Sequence, residues 1–142
     1  MTDEVIRYRD ARATDAAYVM NSWVTSIYGP KANWGARGAK LNTLVERLLD
    51  DSRTKVLVAC APHDEDAIVG WIAYAHAPGL HVIEYMHVRQ QRRREGIARA
   101  MVRRANFVAG VPLAYLFVTD EGERMLTRSP QAIHIKPEEF LP

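Results

Sequence analysis

Apolar residues recur along this chain in two periods. Steps of three and four place Ala16, Val19, Met20, Trp23, Val24 and Ile27 on one face of a helix. Thr14 or Asp15 would cap it, and Gly29-Pro30 would stop it near Tyr28. The same period returns at Leu41, Leu44, Val45, Leu48 and Leu49. It returns once more at Ile97, Met101, Ala105 and Val108, in a helix expected from Gly96 to Ala109 and ended by Gly110-Val111-Pro112. Short apolar runs predict strands at Val5–Tyr8, Thr54–Ala61, Ala67–Ala75, Leu80–Val88, Leu113–Val118 and Ala132–Lys136. The polar turn Pro62–Asp66 makes a hairpin of the second and third runs, and Pro78-Gly79 turns into the fourth. Lys31 to Gly38 reads as a loop holding Trp34, and Asp120–Arg128 as a short helix stopped by Pro130. The order β, α, α, β, β, β, α, β, α, β predicts an α/β fold, an α+β mixed sheet with flanking helices. The strand after the crossover helix should lie parallel to the strand before it.

Length and charge narrow the function classes. A chain of 142 residues is expected to form one domain, 1–142. A net charge of +2 gives little support to nucleic acid as a partner. The single Cys60 rules out an internal disulfide and reads as a buried thiol. The charged start MTDEVIRYRD carries no apolar signal region, and no apolar run approaches membrane-spanning length. A cytoplasmic protein without a membrane partner is the expectation. The five histidines are scattered without ligand spacing, so no metal is expected.

Arginine is concentrated rather than spread. Arg89, Arg92, Arg93, Arg94, Arg99, Arg103 and Arg104 all fall within one short segment. That segment runs from the apolar strand ending at Val88, through a hydrophilic loop, and turns on Gly96 into a helix. The first N–H groups of a helix lack internal partners, and its dipole adds positive charge there. Strand, basic turn and helix start together form a site for a phosphorylated ligand. Three adjacent side chains, Arg92, Arg93 and Arg94, cannot all face one ligand. Arg99, Arg103 and Arg104 read as the polar face of the helix.

With that element order, the turn Arg93-Arg94-Glu95-Gly96-Ile97-Ala98 resembles the GCN5-related N-acetyltransferases, the GNAT family. The family's loop is Gln or Arg, two residues, Gly, one residue, Gly or Ala. Arg93, Gly96 and Ala98 fill the fixed places, and Val88 ends the fourth strand at the usual distance. The resemblance implies a mostly antiparallel central sheet whose fourth and fifth strands diverge to admit a thioester. It implies acetyl-CoA as co-substrate, with its pyrophosphate on the backbone from Arg93 through Arg94, Glu95, Gly96 and Ile97 to Ala98. Met86, His87 and Val88 would border its pantetheine arm. An acyl-CoA-dependent N-acetyltransferase acting on a primary amine of a small molecule or a protein is the activity implied. An acyl-CoA-binding regulatory module with little catalysis is the alternative.

Direct transfer needs a base for the amine, a polarised carbonyl and an exit for the thiolate. Glu84, a carboxylate inside an apolar strand, is the candidate base. Alternation would put it on the face of Val82 and Met86, with Tyr85 and His87 on the other. The competing role for Glu84 is an ion pair or a hydrogen bond across the sheet. The place where many family members carry an acidic tyrosine holds Ser129, a poor acid, with Pro130 following. Tyr115 or water would then serve, or the thiolate would leave unassisted. His76 and His81 flank the second turn and read as ordinary hairpin histidines. Trp23, Tyr28, Trp34 and Tyr74 line the acceptor pocket or pack the core. The chain ends soon after Ile135, so the family's seventh strand would be missing or short in Pro137–Pro142. The sheet edge left open suits a homodimer.

Overall fold

The computed structural model describes residues 5–28, 36–93, 95–108, 110–117 and 132–142. Six strands form one sheet in sequence order: β1 (Arg7–Asp10), β2 (Thr54–Ala61), β3 (Asp64–Ala77), β4 (Leu80–Val88), β5 (Leu113–Tyr115) and β6 (Ala132–His134). The first three pairings are antiparallel, and β4–β5 and β5–β6 are parallel. Helices α1 (Ala16–Tyr28), α2 (Ala36–Asp50), α3 (Ile97–Arg104) and the short α4 (Pro137–Phe140) flank it. Strands β2 and β4 keep the predicted bounds. β1 lies two residues later than expected, β3 extends beyond both predicted ends, and β5 stops at Tyr115. α2 starts before Leu41, inside the segment read as a loop. The expected helix Asp120–Arg128 lies outside the described residues. No described helix is long and apolar enough to cross a membrane.

The sheet buries both faces. Val19, Trp23 and Val24 of α1 and Leu41, Val45 and Leu48 of α2 pack on one face with Trp71, Ala73, Ala75, Val82 and Tyr85. Phe140 and Leu141 close the same cluster. Its centre is aromatic: the Trp23 ring stacks on Tyr85 at 5.4 Å, with Trp71 at 5.4 Å and Phe117 at 5.8 Å. Such pairs add about 0.5–1.5 kcal/mol each beyond the area they bury. Ile97, Met101 and Ala105 of α3 cover the other face with Ile72, Tyr74, Ile83 and Val88. The start of α1 is set by Asp15, which does not stand at the N-cap. It follows a single 3₁₀ turn, where its buried carboxylate accepts from the Arg12 N–H at 2.7 Å and pairs with Arg9 at 2.6 Å.

Two departures from simple periodicity shape the fold. On the paired strands, Ala73 lies opposite Tyr85 and Tyr74 opposite Ile83, so Glu84 is an extra residue on β4, a β-bulge. Beyond it the faces exchange: Tyr85 joins the cluster of Val82, whereas Met86 packs with Ile83 and Val88. The expectation that Met86 shares Glu84's face and Tyr85 does not is therefore corrected, because alternation is counted across an inserted residue.

The second departure ends α3. Val108 was expected on its buried face but is 61% exposed. The helix stops at Arg104 and the chain reverses at Asn106, whose φ is +56°. Two histidines hold that end. The Val108 N–H donates to His81 Nε2 at 2.9 Å, so His81 carries its proton on Nδ1. That proton is donated to His76 Nδ1 at 2.8 Å, and His76 Nε2–H donates to the Ala105 carbonyl at 2.7 Å. The relay is complete only with both rings neutral. Burial and the neighbouring His76 hold the His81 imidazole below its usual 6.5. The unfolded chain therefore takes up this proton first as pH falls, and stability present above about 6.5 is lost below it. His81→Asn, which takes up no proton, should gain thermal midpoint relative to the parent as pH falls from 6.5.

Candidate active site

The loop after β4 is built by its backbone. A single 3₁₀ turn (Gln90–Arg92) leads to Gly96, whose φ of +79° suits a residue without Cβ and places it as the N-cap of α3. Glycine has no side chain to accept from the first turn, and no side-chain cap is present. The leading N–H groups of an eight-residue helix therefore point outward with the positive end of the dipole. Arg93 Nε donates to the Val88 carbonyl at 3.2 Å, which ties the loop back to the strand. Arg92 pairs with Glu95 at 2.9 Å. Ile97 is buried against the sheet and Ala98 is half-buried, so the first turn is pinned while its amide end stays open. Arg99, Arg103 and Arg104 are exposed, with Arg104 over the Tyr8 ring at 4.4 Å. Arg94 lies outside the described residues.

Beside this loop opens a cleft of about 730 Å³. Its wall on α1 is made by Tyr18, Asn21, Ser22, Thr25 and Ser26, and its other wall includes His87, Arg89 and Arg93. The α1 residues are spaced i, i+3, i+4, i+7, i+8, a polar stripe beside the apolar one. Sequence reading that followed only apolar periodicity missed it, although its signal was present. Burial, with Arg93 and Arg89 close by, pushes the His87 imidazole down to about 4, so this wall holds a neutral ring between two permanent cations. Ser22 accepts from Trp71 Nε1 at 2.9 Å, and Ser26 meets the Tyr85 hydroxyl at 2.7 Å.

Among the described residues, β4–β5 pairing ends at the bulge. Pairing runs from His81 to Ile83 opposite Leu113 to Tyr115, and the Leu116 N–H to the Ile83 carbonyl at 3.1 Å is its last bond among the described residues. On the other edge, the Arg89 N–H donates to Val69 of β3 at 2.8 Å. Two-residue alternation therefore turns the amides of Met86 and Val88 away from β3, toward the β5 side of the strand.

Glu84 stands where the described β4–β5 pairing ends. Its side chain is fully buried. The Thr54 hydroxyl donates to its Oε2 at 2.6 Å, and Oε1 has no hydrogen-bond partner among the described residues. Burial pushes its carboxyl up to about 7, against the opposing pull of the Thr54 hydrogen bond. A carboxyl of that strength takes a proton near neutral pH. The open helix end, the arginine-flanked cleft and the β4 amides turned away from β3 together suit a long ligand with phosphate at one end and a hydrogen-bonding chain at the other, as acyl-CoA has.

Other expected site residues are more dispersed. Trp23 is wholly buried in the α1 core, and Tyr74 packs on the opposite sheet face against Phe107 and His76. The structure does not bring these two together. Tyr28 closes α1, its side chain outside the described part, and Trp34 and Ser129 lie outside the described residues. Among the described residues, no cluster of His, Cys, Asp or Glu has the arrangement of a metal site.

Comparison with known proteins gives one family. Residues 19–121 match the family described as Acetyltransferase (GNAT). No curated protein matches the chain. Among solved structures, a ribosomal-protein-alanine N-acetyltransferase of Brucella melitensis biovar Abortus 2308 is 15% identical with a TM-score of 0.59, over 88% of this chain and 90% of that one. A predicted acetyltransferase of Clostridium acetobutylicum, solved with acetyl-CoA, is 14% identical with a TM-score of 0.59, over 89% of each chain. An aminoglycoside acetyltransferase from an uncultured soil metagenomic sample is 17% identical with a TM-score of 0.53, over 87% of this chain and 88% of that one.

The raised carboxyl has a consequence for stability. Unfolded, Glu84 ionises near 4.5; folded, near 7. Above pH 4.5 the unfolded chain releases a proton that the folded chain keeps, so stability is lost as pH rises toward 7. Glu84→Gln removes that loss. The variant should gain on the parent from pH 5 to pH 8, by about 3 kcal/mol at most. Urea midpoints of both proteins at the two pH values measure it, and a gap that does not widen with pH would contradict the shifted carboxyl.

Proposed function

The chain belongs to the acetyltransferase (GNAT) family, and from that premise we propose that Glu84, directly or through a water it orders, is the base for transfer from acetyl-CoA to a primary amine. The chain is an acyl-CoA-dependent N-acetyltransferase by that membership. The observation that carries the base assignment is the position of Glu84: a buried carboxyl whose Oε1 has no hydrogen-bond partner among the described residues, on the bulge where the described β4–β5 pairing ends. An amine is largely protonated at neutral pH and attacks only after losing that proton. A carboxyl ionising near 7 accepts it without being permanently charged in the core.

The donor's pyrophosphate suits the α3 amide end from Arg93 through Gly96 to Ala98, and its pantetheine arm the amides of Met86 and Val88. His87, neutral, borders the same channel and adds no charge of its own. For the leaving thiolate, Tyr115 is an unsuitable acid: it packs with the α3 face and lies against His134 at 5.2 Å. With Ser129 a poor acid, we infer that the thiolate leaves with a proton from water. A thiol ordinarily ionises near 8.5, so little assistance is needed. The acceptor carries an amine; the structural neighbours include an aminoglycoside acetyltransferase and a ribosomal-protein-alanine N-acetyltransferase, so both a small molecule and a protein remain in view. We also propose a homodimer through the β6 edge, where Ile133 is 53% exposed. Sedimentation at micromolar concentration should then give twice the chain mass.

The test of the base is a pH profile with a panel of amines and lysine peptides. Glu84→Gln should lower kcat by about 10²–10⁴-fold. The parent's acid limb near pH 7 should vanish, while acetyl-CoA binding measured by calorimetry stays unchanged. Turnover equal to the parent's across the pH range would overturn the assignment.

A further inference from the structure

Thr54 belongs to no part of the family's loop and stands two strands away from β4, yet it holds the carboxylate of Glu84. Its backbone pairs with Ala75 of β3, and Ala75 pairs with Val82 of β4. To reach Thr54, the Glu84 side chain must cross β3. Between Thr54 and Glu84, β3 presents on this face Ala73 and Ala75, both fully buried and neither extending beyond Cβ. A larger side chain at either place would fill the path. Alternation from Val82 puts Glu84 on this face, the bulge adds Tyr85 beside it, and the alanines leave the carboxylate room.

Thr54 itself is held from three directions. Its N–H donates to the Asp51 carbonyl at 3.0 Å. Arg53 grips both oxygens of Asp51 at 3.0 and 2.8 Å and donates to the Phe140 carbonyl at 2.7 Å. The Arg53 guanidinium also covers the Phe140 ring at 4.0 Å. The end of α2, the start of β2 and the C-terminal helix α4 thus meet at Arg53, the residue before the one that grips the carboxylate.

We propose that Thr54 is the positioning residue of the transfer site: its hydroxyl fastens Oε2 of Glu84 across the alanine floor of β3 and leaves Oε1 as the atom that receives the acceptor's proton. This rests on Glu84 being the base. A carboxylate with one oxygen fastened has a single orientation for the other, which removes a rotational search before proton transfer. A hydroxyl donor also favours the ionised form. The charged groups acting on Glu84 are Asp51, which opposes ionisation, and Arg53, which favours it. They are paired with each other on the α2–β2 turn. On its own strand, Tyr85 turns its phenol to Ser26. Thr54 is therefore the uncharged group that biases Glu84 toward its working form.

The test compares Thr54→Val, which keeps the shape and removes the donor, with Thr54→Ser, which keeps the donor. Two readings are taken on each: the acid limb of kcat/KM against pH, and the titration of the Glu84 carboxyl by carbon NMR of glutamate-labelled protein, assigned by its loss in Glu84→Gln. Thr54→Val should move both upward together by about one pH unit and lower kcat at pH 6.5 by about tenfold, and Thr54→Ser should restore both. A carboxyl titration that does not move in Thr54→Val overturns the role of Thr54 and leaves the base assignment standing. A carboxyl titration that moves while the kinetic limb stays still overturns Glu84 as the base, and the catalytic role of Thr54 with it. Thr54→Ala, read in the same way, replaces Thr54→Val if the valine variant does not fold.

Discussion

At Tyr74 and Ala73, strand β3 faces three residues of β4: Ile83, Glu84 and Tyr85. One extra residue in a hydrogen-bonded pair cannot be absorbed without turning the strand about its axis. Here that turn has several effects at one place. It leaves Glu84 on the face of Val82, covered by α1 and α2. It puts Tyr85 on the same face, where its ring stacks on Trp23 and its hydroxyl reaches Ser26. It coincides with the end of β4–β5 pairing among the described residues. A regular β4 would turn Tyr85 to the α3 face instead.

Strand β4 is also the member through which distant parts of the site hold one another. At its start, His81 carries the relay that ends α3; at its finish, the Val88 carbonyl accepts from Arg93 of the loop that begins α3. Both ends of that helix are thus fastened to a single strand. The amide end of α3 faces the loop as a consequence of these two fastenings and of the buried Ile97 and Met101 between them. Burying Glu84 opposes stability near neutral pH, and the aromatic cluster beside it and the α3 core behind the sheet offset that. A base placed at a solvated loop would lack the raised proton affinity that burial provides.

Much of this was legible in the residues. The stripes Val19–Trp23–Val24 and Leu41–Val45–Leu48 are long enough to name two helices and their buried faces, and the run KVLVACA gives β2 to its ends. Arg93, Gly96 and Ala98 stand between a strand and a helix where an anion-holding turn was expected. Other features were hidden. A β-bulge leaves no mark in an apolar run such as VIEYMHV, because the count of two continues through it on paper. The left-handed Asn106 ends α3 before Val108, and periodicity alone carries the helix on. The polar stripe Tyr18–Ser22–Ser26 was visible but resembles any solvated helix side until the sheet places it beside Arg93.

What the sequence determined by itself are the local quantities: which segments bury a face, where the backbone needs glycine, and which turn can receive an anion. These follow from side-chain period and backbone sterics, which act between residues close in the chain. Tertiary structure decided the pairings: His76 with His81 and Ala105, Arg53 with Phe140, and Thr54 with Glu84 across two alanines. Those depend on strand register and on one inserted residue. A shift of one position turns every side chain of a strand to the other face, so chemistry at the site is set by register, which no local pattern records.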